Sequence, residues 1–199
     1  MNNNEIDEII EGRDEKELSE NSNKKIEKKE SAAMEWIKSI IIALALALII
    51  KSFIIEPTKI QGNSMTDTLH DSDRVIVNKI VMKMRALKRG DIIVMKFDKD
   101  HDYIKRIVGL PGDYIQLIDG KVYINGEQFH EDYINGDYTE IINGYEWKLK
   151  EDEYFVMGDN RNPGGSTDSR VFGPVNLEQI KGVASFRFYP FDGRIGLIK

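Results

Sequence analysis

Tyr114-Ile115-Gln116-Leu117-Ile118-Asp119-Gly120-Lys121-Val122-Tyr123-Ile124 is the stretch from which the fold can be read. Two runs rich in β-branched and aromatic residues flank Asp119-Gly120, a pair that accepts positive φ at both central positions of a two-residue hairpin turn. The pattern recurs along the chain. Arg74-Val75-Ile76-Val77-Asn78, Asp91-Ile92-Ile93-Val94-Met95-Lys96-Phe97, Tyr103 to Val108 and Tyr154-Phe155-Val156-Met157 read as strands. Asn125-Gly126, Asn135-Gly136 and Asn143-Gly144 add turns without a common period, so they predict hairpins rather than repeats. Residues 56–199 are expected to form a mainly β, antiparallel domain of about ten short strands.

The 199 residues leave room for one such domain and appendages. Residues 1–35 hold eleven Asp or Glu and six Lys or Arg, which accounts for −5 of the net −6; the body is close to neutral. With no basic stripe carrying interleaved aromatics, nucleic acid is not expected as a partner. There is no cysteine, which excludes disulfides, thiolate nucleophiles and cysteine zinc sites. His70, His101 and His130 are too few and too scattered in polar surroundings to suggest a metal cage. Asp98-Lys99-Asp100-His101-Asp102 opens like a calcium loop, but Tyr103 and Gly109 stand where glycine and glutamate are required. It reads as a charged hairpin tip.

The polar segment 1–35 cannot bury enough apolar surface to offset its conformational entropy and is expected to be a disordered tail. Residues 36–55, from Trp36 to Ile55, are twenty mostly apolar positions, with Lys38 and Lys51 placed to reach headgroups. This predicts a retained transmembrane anchor. No small-x-small cleavage site follows Ile55 as a removable signal would need. Lys24, Lys25, Lys28, Lys29 and Lys38 precede or open the span, against Lys51, Lys59 and Arg74 after it. The positive-inside rule then puts the tail in the cytoplasm and residues 56–199 outside, in a single-pass cell-membrane protein.

Ser64 follows the span by nine residues, in Gln61-Gly62-Asn63-Ser64-Met65. A serine hydroxyl attacks only when a base takes its proton. His70 sits in a polar turn, but Lys105 lies between Ile104 and Ile107 on a predicted strand. Alternation puts Tyr103, Lys105 and Ile107 on one face. If that face is core, burial disfavours the ammonium and Lys105 becomes a base; if not, it is an ordinary strand lysine. Gly158 to Arg170 is a loop without large apolar side chains, read either as a solvated turn or as the surroundings that orient a base.

Three runs taken together resemble the bacterial type I signal peptidases, or leader peptidases. Gly62-Asn63-Ser64-Met65-Thr66-Asp67-Thr68-Leu69 is similar to the family's Gly-x-Ser-Met-x-Pro-Thr-Leu. Lys105 to Asp113 matches its Lys-Arg-(Ile/Val)-x-Gly-x-Pro-Gly-Asp. Gly158-Asp159-Asn160-Arg161 and Ser166-Thr167-Asp168-Ser169-Arg170 match its third motif. Arg89 to Val94 and Arg187 to Asp192 resemble further family segments. The resemblance implies a signal-peptidase-like catalytic domain, mainly β and antiparallel, on a single N-terminal transmembrane helix. It implies Ser64 as nucleophile, Lys105 as general base and acid, and the Ser64 N–H as an oxyanion donor. Gly62 stands where some members add a serine hydroxyl to that hole. Ser166 is implied to hydrogen-bond the lysine, Asp168 and Arg170 to stabilise the site, and Met65 to wall the substrate pocket.

Substrates implied are signal peptides of exported preproteins, met at the lipid bilayer and cleaved after small residues, with no metal or cofactor. Two departures stand out. Asp67 replaces the motif's proline, loosening the backbone and placing a charge near the groove. Asn162-Pro163-Gly164-Gly165 gives four residues where two are usual, and either bulges outward or displaces Ser166 and Asp168. If Asp67 and the insertion inactivate the site, the alternative is a membrane-anchored signal-peptide-binding module of the same fold with impaired catalysis.

Overall fold

The structure, a computed structural model, describes residues 34–51 and 54–198. The predicted tail lies outside these residues but for Met34 and Glu35. Residues 34–51 form a helix, α1, whose apolar side chains are exposed, Ile40 at 63% and Leu44 at 61%. Among the described residues no helix is long and apolar enough to cross a membrane. α1 carries Glu35, Lys38 and Lys51 within its described length. The anchor boundary expected at Ile55 needs correction: Ile55 already begins a strand and pairs with Asn78. Pro57 lacks the N–H that a helix interior requires, and an edge strand tolerates it.

The body begins with strands β1 (Ile55–Lys59) and β2 (Arg74–Asn78), then a four-residue helix α2 (Val81–Met84). Strands β3 (Ile92–Lys96), β4 (Asp102–Gly109), β5 (Tyr114–Ile118), β6 (Lys121–Ile124) and β7 (Glu127–Gln128) follow. β8 (Glu146–Lys148), β9 (Glu153–Met157), helix α3 (Ser169–Phe172), β10 (Val175–Asn176), β11 (Ile180–Tyr189) and β12 (Gly196–Leu197) complete it. The larger sheet runs β1-β2-β11-β3-β4-β9-β10, with β12 also on β11; the smaller runs β7-β6-β5-β8. All these pairings are antiparallel.

The stretch quoted first folds as read. β5 and β6 pair from Ile118↔Lys121 to Ile115↔Ile124 around Asp119 (φ 50°) and Gly120 (φ 76°). Asn125 and Gly126 repeat that geometry between β6 and β7, with φ of 54° and 88°. The other two Asn-Gly pairs do not make hairpins. Asn135 forms an isolated parallel bridge to Asn160, and the Asn143 N–H donates to the Arg170 carbonyl. Their hydrogen bonds go to distant segments, which no local pattern announces.

The larger sheet is buried on both faces along β3 and β4, so their continuous apolar runs are divided by alternation. Ile92, Val94 and Ile104 join Ile60, Met65 and Leu69 on one side. Ile93, Met95 and Ile107 join Val156, Val175 and Ile180 on the other. The smaller sheet packs Ile115, Leu117 and Val122 against Val108, Phe155 and Met157, from the strands that carry the site. Burial of this kind contributes about 25 cal/mol per Å² of apolar surface, which makes β4 and β9 a rigid base.

Candidate active site

Ser64 sits on a turn pinned from below. Gly62 has φ of +85°, a conformation that side chains resist, and it reverses the chain after β1. The Leu69 N–H donates to the Met65 carbonyl at 2.8 Å, a single helical turn. Met65 and Leu69, 1% and 0% exposed, drop into the core and leave half-buried Ser64 on the rim. The Thr66–Asp67 peptide is cis.

β4 delivers Lys105 to this serine. The face it shares with Tyr103 and Ile107 is half-buried at Tyr103 and fully buried at Ile107, and Lys105 itself is only 3% exposed. Its Nζ stands 2.8 Å from Ser64 Oγ and 2.9 Å from the Ile104 carbonyl, and 5.1 Å from the centre of the Tyr103 ring. Burial pulls its pKa down to about 8, although Asp168 and Asp159 favour the charged form. Near pH 8 about half of the lysine is a neutral amine able to accept the serine proton.

The loop after β9 closes around the pair. Asp168 accepts from Arg170 Nε at 2.9 Å and Nη2 at 2.8 Å, and from the Gly158 N–H at 3.0 Å. Burial alone pushes the Asp168 carboxyl up, but Arg170 and the Gly158 N–H hold it below the usual carboxylate range. The Asn160 N–H donates to the Ser64 carbonyl at 3.0 Å, and Asn160 Nδ2 to the Asn63 carbonyl at 3.1 Å. Gly158 is forced to be glycine: a Cβ there falls 2.3 Å from Ser166 Oγ and 2.4 Å from the Ser64 carbonyl oxygen.

A cleft of about 430 Å³ opens beside the dyad. Gln61 to Ser64, Asp100 to Lys105 and Gly164 to Thr167 line it. Among the described residues, no three His, Asp or Glu side chains converge as a metal ion requires.

Several expectations need correction. Ser166 lines the cleft but does not hydrogen-bond Lys105; among the described residues its buried Oγ makes no well-formed hydrogen bond, and it lies near enough to Asp168 to favour that carboxylate's charge. Gly62 brings no hydroxyl to the oxyanion hole, and its N–H donates to Asp71 at 2.8 Å, so a second donor must come from elsewhere. The Ser64 N–H donates to no described group, which leaves it available. Met65 belongs to the core rather than to the cleft wall, because its side chain points down from the turn. Asp67 is exposed, bonded to Asn135 and outside the cleft lining. The Asn162–Gly165 insertion does not stand clear of the site. It closes as a turn, Gly165 N–H to Asn162 carbonyl at 2.8 Å, with Gly164 and Gly165 on the cleft rim and Asp168 still wholly buried.

The sequence reading missed the other charges that build the site. Arg106, 3% exposed, donates to both oxygens of Asp159 at 2.9 and 2.7 Å, and Asp159 also accepts from Thr68 on the nucleophile turn. Arg161, fully buried, is paired with Glu131 and donates to Thr139 at 2.9 Å. Burial works against the Arg161 charge, and Glu131 more than offsets it. Arg106 and Asp159 lay inside the quoted motifs. Glu131 and Thr139 had no local signal at all, since their partner is some twenty to thirty residues away.

A family model described as signal peptidase, peptidase S26, matches residues 33–189. The chain is 41% identical over 180 residues to a signal peptidase I of Bacillus amyloliquefaciens, covering 86% of this chain and 96% of that one. It is 40% identical to signal peptidase I S of Bacillus subtilis (strain 168), over 82% of this chain and 93% of that one. It is 38% identical to signal peptidase IB of Staphylococcus aureus, over 80% and 91%.

Proposed function

The chain belongs to the signal peptidase family, peptidase S26, and from that premise we propose that it is a membrane-held serine endopeptidase removing signal peptides from exported preproteins through a Ser64–Lys105 dyad. The observation that carries the dyad is the buried Lys105 amine 2.8 Å from Ser64 Oγ. In the proposed reaction neutral Lys105 takes the hydroxyl proton as Ser64 Oγ attacks the scissile carbonyl. The free Ser64 N–H donates to the developing oxyanion. The ammonium then protonates the leaving amine, and a water deprotonated by Lys105 releases the acyl group. Ser166, on the wall of the same cleft, is proposed to accept from the Lys105 ammonium once it forms.

The cleft runs beside the free edge of β1, where an extended peptide can add its backbone as a strand. α1 is proposed to lie in the bilayer, tail in the cytoplasm and β body outside. Its exposed Ile and Leu side chains support this reading, with Trp36 suited to the interface. An enzyme so held meets membrane-borne substrates in two dimensions, which raises their effective concentration. Against the rival reading, a binding module without turnover, the Asp168–Arg170 pair and the 2.8 Å Ser64–Lys105 contact support a working site.

The test is cleavage of a model preprotein in detergent or liposomes by the full chain, Ser64→Ala and Lys105→Ala. Loss of turnover in both variants is expected. Turnover surviving Lys105→Ala means another base, and a folded wild type without turnover returns the binding module. Protease protection in sealed vesicles tests the orientation; a β body cleaved only from the cytoplasmic side overturns it.

A further inference from the structure

Asn135 joins three segments that the sequence keeps apart. Its N–H donates to the Asp159 carbonyl at 2.8 Å, and its carbonyl accepts from the Arg161 N–H at 2.7 Å. Its side-chain Nδ2 lies 3.2 Å from both Asp67 carboxylate oxygens. Its Oδ1 accepts from Asn162 Nδ2 at 2.6 Å. Asp67 and Asn162 belong to the two places where this chain departs from the family motifs, and both end on this one side chain.

The consequence falls on the nucleophile. Asn160 braces the front of its turn through the Asn63 and Ser64 carbonyls. Asn135, bridged to Asn160 in parallel, braces the rear through Asp67. A proline at position 67 restrains the backbone by its own ring, which locks φ. Aspartate leaves φ free, so restraint must come from outside.

We propose that Asn135 is a positioning residue for Ser64: its side chain latches Asp67 to the 158–162 loop and supplies the rigidity that proline gives elsewhere in the family. The inference rests on the Ser64–Lys105 reading above.

Turnover of a model preprotein by the full chain in detergent tests it. Asn135→Ala keeps both backbone bonds, so it is expected to fold, with kcat down about tenfold and KM changed less than about twofold. Asn135→Asp sets two carboxylates face to face and is expected to be worse. Adding Asp67→Asn to it reverses donor and acceptor and restores most of the loss. In an Asp67→Pro background, Asn135→Ala is expected to cost less than about twofold, since the ring does the latch's work.

An equal cost of Asn135→Ala with and without proline overturns the proposal. So does a reciprocal double variant no faster than Asn135→Asp alone, and this pair decides the matter if Asp67→Pro fails to fold. Turnover surviving Ser64→Ala or Lys105→Ala in the same assay sinks the dyad instead, which keeps the two failures apart.

Discussion

Lys105 Nζ meets Ser64 Oγ at 2.8 Å across 41 residues of sequence, and among the described residues no carboxylate is hydrogen-bonded to it. The three buried arginines nearby differ in this respect: Arg106 holds Asp159, Arg161 holds Glu131 and Arg170 holds Asp168. A guanidinium stays charged at any working pH, and its paired carboxylate offsets the cost of burial. An ammonium can instead shed its proton, so the lysine without a carboxylate partner is the group that burial converts into a base.

The first expected outcome concerns pH. The proposed dyad needs neutral Lys105, whose fraction rises with pH through about 8. The rate kcat/KM on a model preprotein should therefore climb tenfold per unit well below pH 8 and level off above it. An unperturbed lysine would keep climbing to about pH 10.4. A rate independent of pH between 6 and 8 would show that Lys105 is not the titrating base.

The same burial costs stability. Lys105 binds its proton more weakly when folded (about 8) than when unfolded (10.5), so the unfolded chain takes up protons between these values and stability rises with pH there. The penalty is complete below pH 8 and gone above about pH 10.5. Lys105→Met should be inactive yet more stable at neutral pH by up to ~3 kcal/mol, less what its lost hydrogen bonds cost. Urea midpoints across pH 6–10 check this: the variant's advantage must shrink as pH rises.

Gly158→Ala puts a methyl against the Ser64 carbonyl and Ser166 Oγ at well under contact distance. Relief requires the nucleophile turn to move. A displacement near 1 Å typically costs about 10²-fold in kcat. Stability should fall by only about 1–3 kcal/mol, so activity is lost in a folded protein. Wild-type kcat in this variant would mean that the turn yields freely.

Asp159→Ala takes away the carboxylate that Arg106 holds through two hydrogen bonds, leaving contacts such as the Gly90 carbonyl, and removes a partner of Thr68. A loss of about 3–5 kcal/mol in thermal or urea unfolding is expected. Arg106→Met combined with Asp159→Leu removes both charges and should recover much of it. A double variant as unstable as the single one would show that packing, not charge pairing, governs this place.

The hairpin at Asp119-Gly120, the strands and the Ser64–Lys105 pairing of residue types were legible because each depends on a short-range rule: turn chemistry, alternation, or a motif of adjacent residues. Tertiary structure alone decided the rest. Which of Lys105 and Arg106 keeps its charge depends on what chain lies opposite, and the partners of Asp159, Glu131 and Asn135 come from tens of residues away. Met65 and Gly62 show the same limit from the other side. Their motif positions were plain, but the direction of a side chain and the commitment of an N–H follow from packing. Electrostatic and hydrogen-bonding partners are chosen in space, and the linear order of the chain records only the groups available to be chosen.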